Sequence, residues 1–236
     1  MYINNSTYSS IGGRRKNEDV VQIVSYPESV AVFVADGAGD HRNGDAASRM
    51  AVNAVSGEIC DGAASRMLLE RAIAKANEKL LLTQPDGNSM RTTIAVLWMN
   101  DDQAWAAHVG NTRLYQFRDG RIAYQSADHS AAQLSVMLGE IEEKEIRGHG
   151  DCRRLTRALG ARANVKIDSV KLDVKPGDAF LLCSDGFWEL IWEEEMLKDL
   201  QLGKDAQKWL AAMKTRVERR CKPRSDNHTA AAIMVL

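Results

Sequence analysis

An α+β layered sandwich, antiparallel sheets covered by helices, is the fold predicted for this chain of 236 residues. Three observations carry the prediction. Short apolar or alternating runs recur along the chain and are joined by tight polar turns, the pattern of antiparallel strands. Two helical stretches follow the first strong strand and a third precedes the last, so helices are available to cover sheet faces. Only four prolines and no low-complexity linker interrupt the chain, so a single domain over residues 1–236 is expected.

The elements follow in order. Residues 29–35 (SVAVFVA) form an apolar run that stops at Asp36-Gly37. Residues 44–59 place Ala47, Met50, Ala51, Ala54 and Val55 on one helical face, and residues 63–82 do the same with Met67, Leu68, Ala72, Ala76 and Leu80. Residues 92–99 (TTIAVLWM) and 103–109 flank a polar Asn100-Asp101-Asp102 turn and predict a hairpin. A second hairpin joins 113–117 to 121–125 through Arg118-Asp119-Gly120, since Asp-Gly between alternating runs favours a tight turn. Residues 131–138 predict a short helix, and the charged stretch 140–154 a surface loop. Residues 178–184 (DAFLLCS) read as a buried strand, 205–221 as an amphipathic helix, and 229–236 as a closing strand.

Composition excludes several classes. Net charge is −1, so no global field favours nucleic acid or an anionic membrane. No run approaches the roughly 18 apolar residues of a membrane span, and the first residues lack the apolar core of a secretory signal. Cys60, Cys152, Cys183 and Cys221 are scattered, with no CxxC pair, which argues against a zinc module or a disulfide framework. A cytoplasmic protein is expected.

The placement of acidic residues points to chemistry. Asp36 and Asp185 each follow an apolar strand and precede glycine, and Asp226 lies just before the last strand. A strand end is a rigid platform, and a glycine beside the carboxylate lets backbone approach a ligand closely. Carboxylates gathered at one edge repel unless a cation sits among them, and hard divalent cations take oxygen ligands.

Several motifs, in order along the chain, resemble those of the metal-dependent protein phosphatases of type 2C in their short bacterial form. Arg14-Arg15-Lys16-Asn17-Glu18-Asp19 is similar to R-x-x-N-E-D. Val34-Ala35-Asp36-Gly37-Ala38-Gly39-Asp40-His41 with Gly44, Ala47 and Ser48 is similar to V-A-D-G-M-G-G-H-x-x-G-x-x-A-S. Thr92-Thr93, Val109-Gly110-Asn111-Thr112-Arg113, Asp128-His129-Ser130, Leu155-Thr156-Arg157-Ala158-Leu159-Gly160, Leu182-Cys183-Ser184-Asp185-Gly186 and Ser225-Asp226-Asn227 continue the series. The resemblance implies an α-β-β-α sandwich of two antiparallel sheets flanked by helices. It also implies two divalent cations, Mn²⁺ or Mg²⁺. Asp36 would bridge them, the Gly37 carbonyl would join one, and Asp185 and Asp226 would complete the other. Glu18 and Asp19 would act mostly through water. Arg14 would hold the substrate phosphate, as the guanidinium fork suits a phosphoryl group. The stretch 140–154 corresponds to a mobile flap that influences substrate choice.

Departures from the pattern are specific. Asn111 replaces an aspartate that helps hold a weaker third metal, so a third site there loses its charge. Arg91 replaces a glycine, Asp40 replaces another, and Ala38 stands where animal relatives carry a histidine beside the Asp-Gly pair. The aromatic residues Phe187, Trp188 and Trp192 read as packing residues, and Cys183 as a buried inert thiol.

The expected function is hydrolysis of phosphoserine and phosphothreonine in a phosphoprotein by a metal-activated water, opposing a bacterial Ser/Thr kinase, with that kinase or its target as partner. A monomer with no nucleic-acid or membrane partner is expected. The alternatives are a catalytically silent regulator of the same fold that binds phosphoproteins, and a phosphoesterase acting on small molecules.

Overall fold

The structure, a computed structural model, describes residues 2–38, 43–59, 64–84 and 90–236. Asp40, His41, Cys60 and the start of the helix expected from residue 63 lie outside the described residues.

Among the described residues, ten strands form two sheets. They are β1 (Ile3–Ser10), β2 (Asp19–Ser25), β3 (Val30–Asp36), β4 (Ile94–Met99), β5 (Gln103–Val109), β6 (Arg113–Arg118), β7 (Arg121–Gln125), β8 (Asp168–Asp173), β9 (Ala179–Cys183) and β10 (His228–Val235). One sheet runs β1-β10-β9-β6-β7, the other β2-β3-β4-β5-β8, and every pairing is antiparallel. The long helices are α1 (Gly44–Glu58), α2 (Arg66–Thr83), α5 (Glu193–Leu202) and α6 (Ala206–Arg220); α3 (Ala131–Met137) and α4 (Asp185–Trp188) are short.

Strand alternation explains the layering. In β3, Ala31, Phe33 and Ala35 face the layer formed by α1 and α2, where they meet Val52, Val55, Leu69 and Ile73. The alternate residues Val30, Val32 and Val34 face the other sheet and meet Phe180, Leu182 and Ile233. The second sheet turns Leu181, Cys183, Ala230 and Ala232 outward onto Phe187, Trp209 and Met213 of the helices on its far side. A sheet buried on both faces needs apolar residues at every position, which is why β3, β4 and β9 read as continuous apolar runs rather than alternating ones. Each fully buried Val, Leu or Phe in these layers contributes roughly 1.5–3 kcal/mol. The expected α-β-β-α sandwich is therefore the observed one.

Several elements were not expected from the sequence: β1, β2, β8, α4 and α5. Both β1 and β8 are edge strands, each paired on one side only. Such a strand needs few apolar residues, and the polar INNSTYSS run of β1 carries no buried stripe to reveal it. The 140–154 stretch is not irregular throughout. It contains a 3₁₀ turn, Glu143–Gly148, whose Ile146 is buried. Arg147 in that turn pairs with Glu193 at 2.7 Å and lies over the Trp192 ring. Phe187 and Trp188 are fully buried, whereas Trp192 is half exposed.

Candidate metal and phosphate site

The two sheets deliver their carboxylates to one end of the sandwich. Asp19, the first residue of β2, and Asp36, the last residue of β3, are registered partners across the ladder. Asp185 follows the end of β9 and opens α4, while Asp226 lies two residues before β10, the strand paired with β9. Asp36, Asp185 and Asp226 line a single cavity of about 720 Å³ together with Arg14, Glu18, Gly37, Asn111 and Arg153. Asp19 lies directly behind, buried.

Each carboxylate is positioned by named contacts. The Thr93 hydroxyl accepts from the Asp36 backbone N–H at 3.0 Å and bonds Thr112 Oγ1 at 2.6 Å. Thr92 Oγ1 donates to the Asp36 carbonyl at 2.9 Å, so the Thr92-Thr93 pair pins the end of β3. Ser184 Oγ donates to Asp19 Oδ2 at 2.7 Å and ties the β9 end to the β2 start, a bond between the two sheets. Asn227 Oδ1 accepts from the Glu18 N–H at 2.9 Å, while its Nδ2 donates to the carbonyls of Ile11 and Lys16. One amide thus fastens the loop that carries Arg14 and Glu18. Backbone also approaches closely: a Cβ on Gly186 would overlap the Asn227 carbonyl, and a Cβ on Gly37 would overlap backbone of Gly44.

The electrostatics are those of a crowded anionic site. Burial raises Asp19 to about 6 and Asp185 to about 7. Withdrawal from water, followed by the charges of Asp19, Asp185 and Asp226, pushes Asp36 well above the usual carboxylate range. Glu18 is also raised, by burial first and then by Asp45. Asp19 Oδ1 and Asp185 Oδ1 are buried with no hydrogen-bond partner. Orphaned buried carboxylate oxygens are costly unless a cation takes them. The lining residues supply oxygen donors and, among the described residues, no thiol or imidazole. That chemistry fits hard divalent cations of the Mg²⁺ or Mn²⁺ kind.

Asp226 differs from the other carboxylates. Its Oδ1 accepts from Arg14 Nε at 2.9 Å and the Asn227 N–H at 3.0 Å; its Oδ2 accepts from Arg14 Nη2 at 2.7 Å and Arg153 Nη1 at 2.9 Å. Four N–H groups fill the acceptor capacity of one carboxylate. Arg14 is therefore engaged with Asp226, and a phosphate would compete for its fork. Asn111 Nδ2 donates to Asp185 Oδ2 at 2.9 Å, and the Asn111 carbonyl accepts from Trp188 Nε1. An ionised carboxylate only accepts, so the amide of Asn111 turns its nitrogen, not its oxygen, towards Asp185. Arg91 has an exposed side chain and does not line the cavity, while its carbonyl accepts from the Ala38 N–H.

His129 lies away from the cavity. Its Nδ1 accepts from the Gly110 N–H at 3.1 Å, and its Nε2 lies 3.1 Å from Asp168 Oδ2 and 3.0 Å from Arg157 Nη1. His108 stacks on it with ring centroids 4.5 Å apart, and Arg157 donates to Asp168 Oδ1 at 2.8 Å. His108, His129 and Asp168 bring ligand atoms within 4.8 Å of one another. The Arg157 guanidinium already places a cation against His129 Nε2 and Asp168, so this group is an internal hydrogen-bond and ion-pair network.

Thr93, Asn227 and Arg153, which line the cavity, and Ser184, which braces Asp19 behind it, are not singled out by the sequence reading. Ser184 and Asn227 sit beside Asp185 and Asp226, and that adjacency was the available signal; Thr93 lies in the Thr92-Thr93 pair, away from any carboxylate in the sequence. Arg153 lies in the charged 140–154 stretch, where nothing in the sequence singles it out.

Comparison with known proteins agrees with this architecture. Residues 8–229 match the family model described as protein phosphatase 2C. The Ser/Thr phosphatase stp of Listeria monocytogenes serotype 4b is 33% identical over 174 residues, covering 70% of this chain and 69% of that protein. The crystal structure of the Mycobacterium tuberculosis Ser/Thr phosphatase PstP is 26% identical, with a TM-score of 0.86 over 100% of this chain and 99% of that one. A PstP catalytic domain in complex with two manganese ions superposes with a TM-score of 0.81 at 24% identity, over 99% and 98% of the two chains. PppA of Pseudomonas aeruginosa, described as a regulatory component of its type VI secretion system, is 27% identical with a TM-score of 0.84 over 100% and 99%. With nearly its whole length matched and its two-sheet architecture shared, the chain belongs to the protein phosphatase 2C family.

Proposed function

We propose that this metal-dependent Ser/Thr protein phosphatase hydrolyses phosphoserine and phosphothreonine monoesters by in-line attack of a water, with no phosphoenzyme. The observation that carries the reading is the meeting, in one cavity, of carboxylates from both sheets with the Arg14 guanidinium. Two divalent cations, Mn²⁺ or Mg²⁺, supply Lewis-acid activation of water and neutralise phosphate charge when bound. Asp36, with the Gly37 carbonyl, and Asp185 would hold them directly, and Asp226 would join them on releasing the N–H groups of Arg14 and Arg153. Glu18 and Asp19 would hold them mostly through water. Arg14 presents a planar fork to the phosphoryl oxygens and orients the ester for displacement. Ser184 and Thr93 keep Asp19 and Asp36 in place, and Asn227 keeps the Arg14 loop closed on the site. Asn111 spends its amide N–H on Asp185, which disfavours a third cation at that position.

The natural substrate is a Ser/Thr kinase or a target of one. The chain works as a monomer. A cytoplasmic location is supported by the free cysteines Cys152, Cys183 and Cys221, which fit a reducing compartment. The 140–154 stretch, which borders the cavity through Arg153, tunes substrate choice.

Phosphate release from a phosphothreonine peptide and from para-nitrophenyl phosphate, with Mn²⁺, Mg²⁺ or chelator, tests the reading. Metal-dependent turnover of the peptide supports it. Turnover of neither substrate under any metal would identify a phosphoprotein-binding regulator, and turnover of the small ester alone a small-molecule phosphoesterase.

A further inference from the structure

Arg153 reaches the cavity from the 140–154 stretch with its guanidinium split between two partners. Its Nε donates to Glu189 Oε1 at 2.9 Å and its Nη2 pairs with Glu189 Oε2, which holds one edge of the fork. The remaining Nη1 points into the cavity, at Asp226 Oδ2, 2.9 Å away. Arg14 Nη2 donates to that same oxygen at 2.7 Å. Glu189 follows α4 and its backbone N–H donates to the Asp185 carbonyl, so the residue that aims Arg153 is built on the turn that starts at Asp185.

We propose that Arg153 is a second phosphate-binding residue, oriented by Glu189, that completes with Arg14 a two-guanidinium clamp on the substrate phosphoryl group. The inference rests on the phosphatase reading for its choice of ligand. Three features argue for it. Two guanidiniums converging on one oxygen repel each other, and the arrangement is stable only around an anion. Asp226 already receives a bidentate pair from Arg14, so a second cation is superfluous for that carboxylate alone. Glu189 takes two of the donors of Arg153 and fixes the guanidinium plane, which a tether to Asp226 would not need. A phosphate entering beside Asp226 offers three oxygens to the same N–H groups, and each donor released by Asp226 passes to it. Because Arg153 belongs to the charged 140–154 stretch, the clamp also links phosphate capture to that stretch.

Inorganic phosphate, the hydrolysis product, is the probe, since it is not consumed. Its dissociation constant is measured by calorimetry on the Mn²⁺-loaded protein, for the wild type and for Arg153→Gln, Arg153→Lys and Glu189→Gln. Manganese stoichiometry and the melting midpoint are recorded for each. Arg153→Gln is expected to weaken phosphate binding about tenfold or more, the scale of a lost charge-assisted hydrogen bond, with manganese stoichiometry unchanged. Glu189→Gln should fall between it and the wild type, and Arg153→Lys should recover part of the loss. In steady state the same variants should raise KM for a phosphothreonine peptide more than they lower kcat. Phosphate binding equal to the wild type in Arg153→Gln overturns the proposal, as does a wild type that binds no phosphate. Wild-type protein that binds phosphate through Arg153 but turns over no ester would leave the clamp standing and overturn the hydrolytic reading instead.

Discussion

Asp19 and Asp36 stand opposite each other across the last rung of the β2–β3 ladder, two carboxylates on neighbouring strands. Like charges directly across a ladder destabilise it. Burial raises both groups; the charges of Asp19, Asp185 and Asp226 raise Asp36 further, and the charge of Asp226 raises Asp19, a strain relieved by protonation or by a cation.

Removing one charge from this cluster should separate stability from activity. Asp36→Asn or Asp185→Asn is expected to leave the metal-free melting midpoint unchanged or raised, because repulsion falls while side-chain size is kept. Turnover should drop at least about 10²-fold, and the rise in melting midpoint on adding Mn²⁺ should shrink. Wild-type turnover in either variant would remove that residue from the metal set.

Ser184→Ala tests the bond between the sheets. Its hydroxyl donates to Asp19 and accepts from the Thr229 N–H at 3.0 Å. The substitution leaves a buried N–H and a buried carboxylate oxygen short of a partner, which costs about 1–3 kcal/mol. Apparent Mn²⁺ affinity should weaken about 10–100-fold, the usual scale for a group that orients a metal ligand. Saturating metal should restore most of kcat; a variant with unaltered metal affinity would show that Asp19 needs no such support.

Gly186→Ala is a steric test. The added methyl would overlap the Asn227 carbonyl and crowd Asp226 Cβ, at 3.0 Å. The strand ends carrying Asp185 and Asp226 must then part. Loss of Mn²⁺ binding with a lowered melting midpoint is the expected outcome in thermal scans with and without metal. Unchanged metal binding would mean the strand ends have room to yield.

His129 sets a pH dependence remote from the metal site. Burial lowers it to about 4, with the stacked His108 adding to the effect and Asp168 opposing it. Below the ordinary value of 6.5 the unfolded chain takes up a proton that the folded chain refuses. The stabilisation is complete above that value and drains away as pH falls towards about 4. Melting midpoints recorded across this window should fall, and His129→Gln should flatten the fall. An identical slope in the variant would assign the loss to other groups.

What the sequence disclosed follows physical signal strength. β3, β4 and β9 are buried on both faces, so their apolar runs stood out, as did the amphipathic faces of α1, α2 and α6. β1 and β8 sit at sheet edges, where polar side chains suffice, and α5, written EEEMLKDLQL, buries only Met196 and Asp199 along its ten residues. The acidic residues were visible because Asp-Gly at the end of a strand is a local pattern. The ties from Arg153 to Glu189 and Asp226 span 36 and 73 residues and have no local trace. Arg14, expected to stand ready for phosphate, is instead paired with Asp226, a partner 212 residues away that no spacing rule reveals.

The carboxylates gathered in the cavity ride on different sheets, Asp36 on one and Asp185 with Asp226 on the other. Cations seated among them would rivet the two halves of the sandwich together at one end, and with them the first and last strands of the chain's hydrogen-bonded frame. Any slip of one layer over the other, by even a fraction of a side chain, would register as a weakened grip on metal before it registered as unfolding.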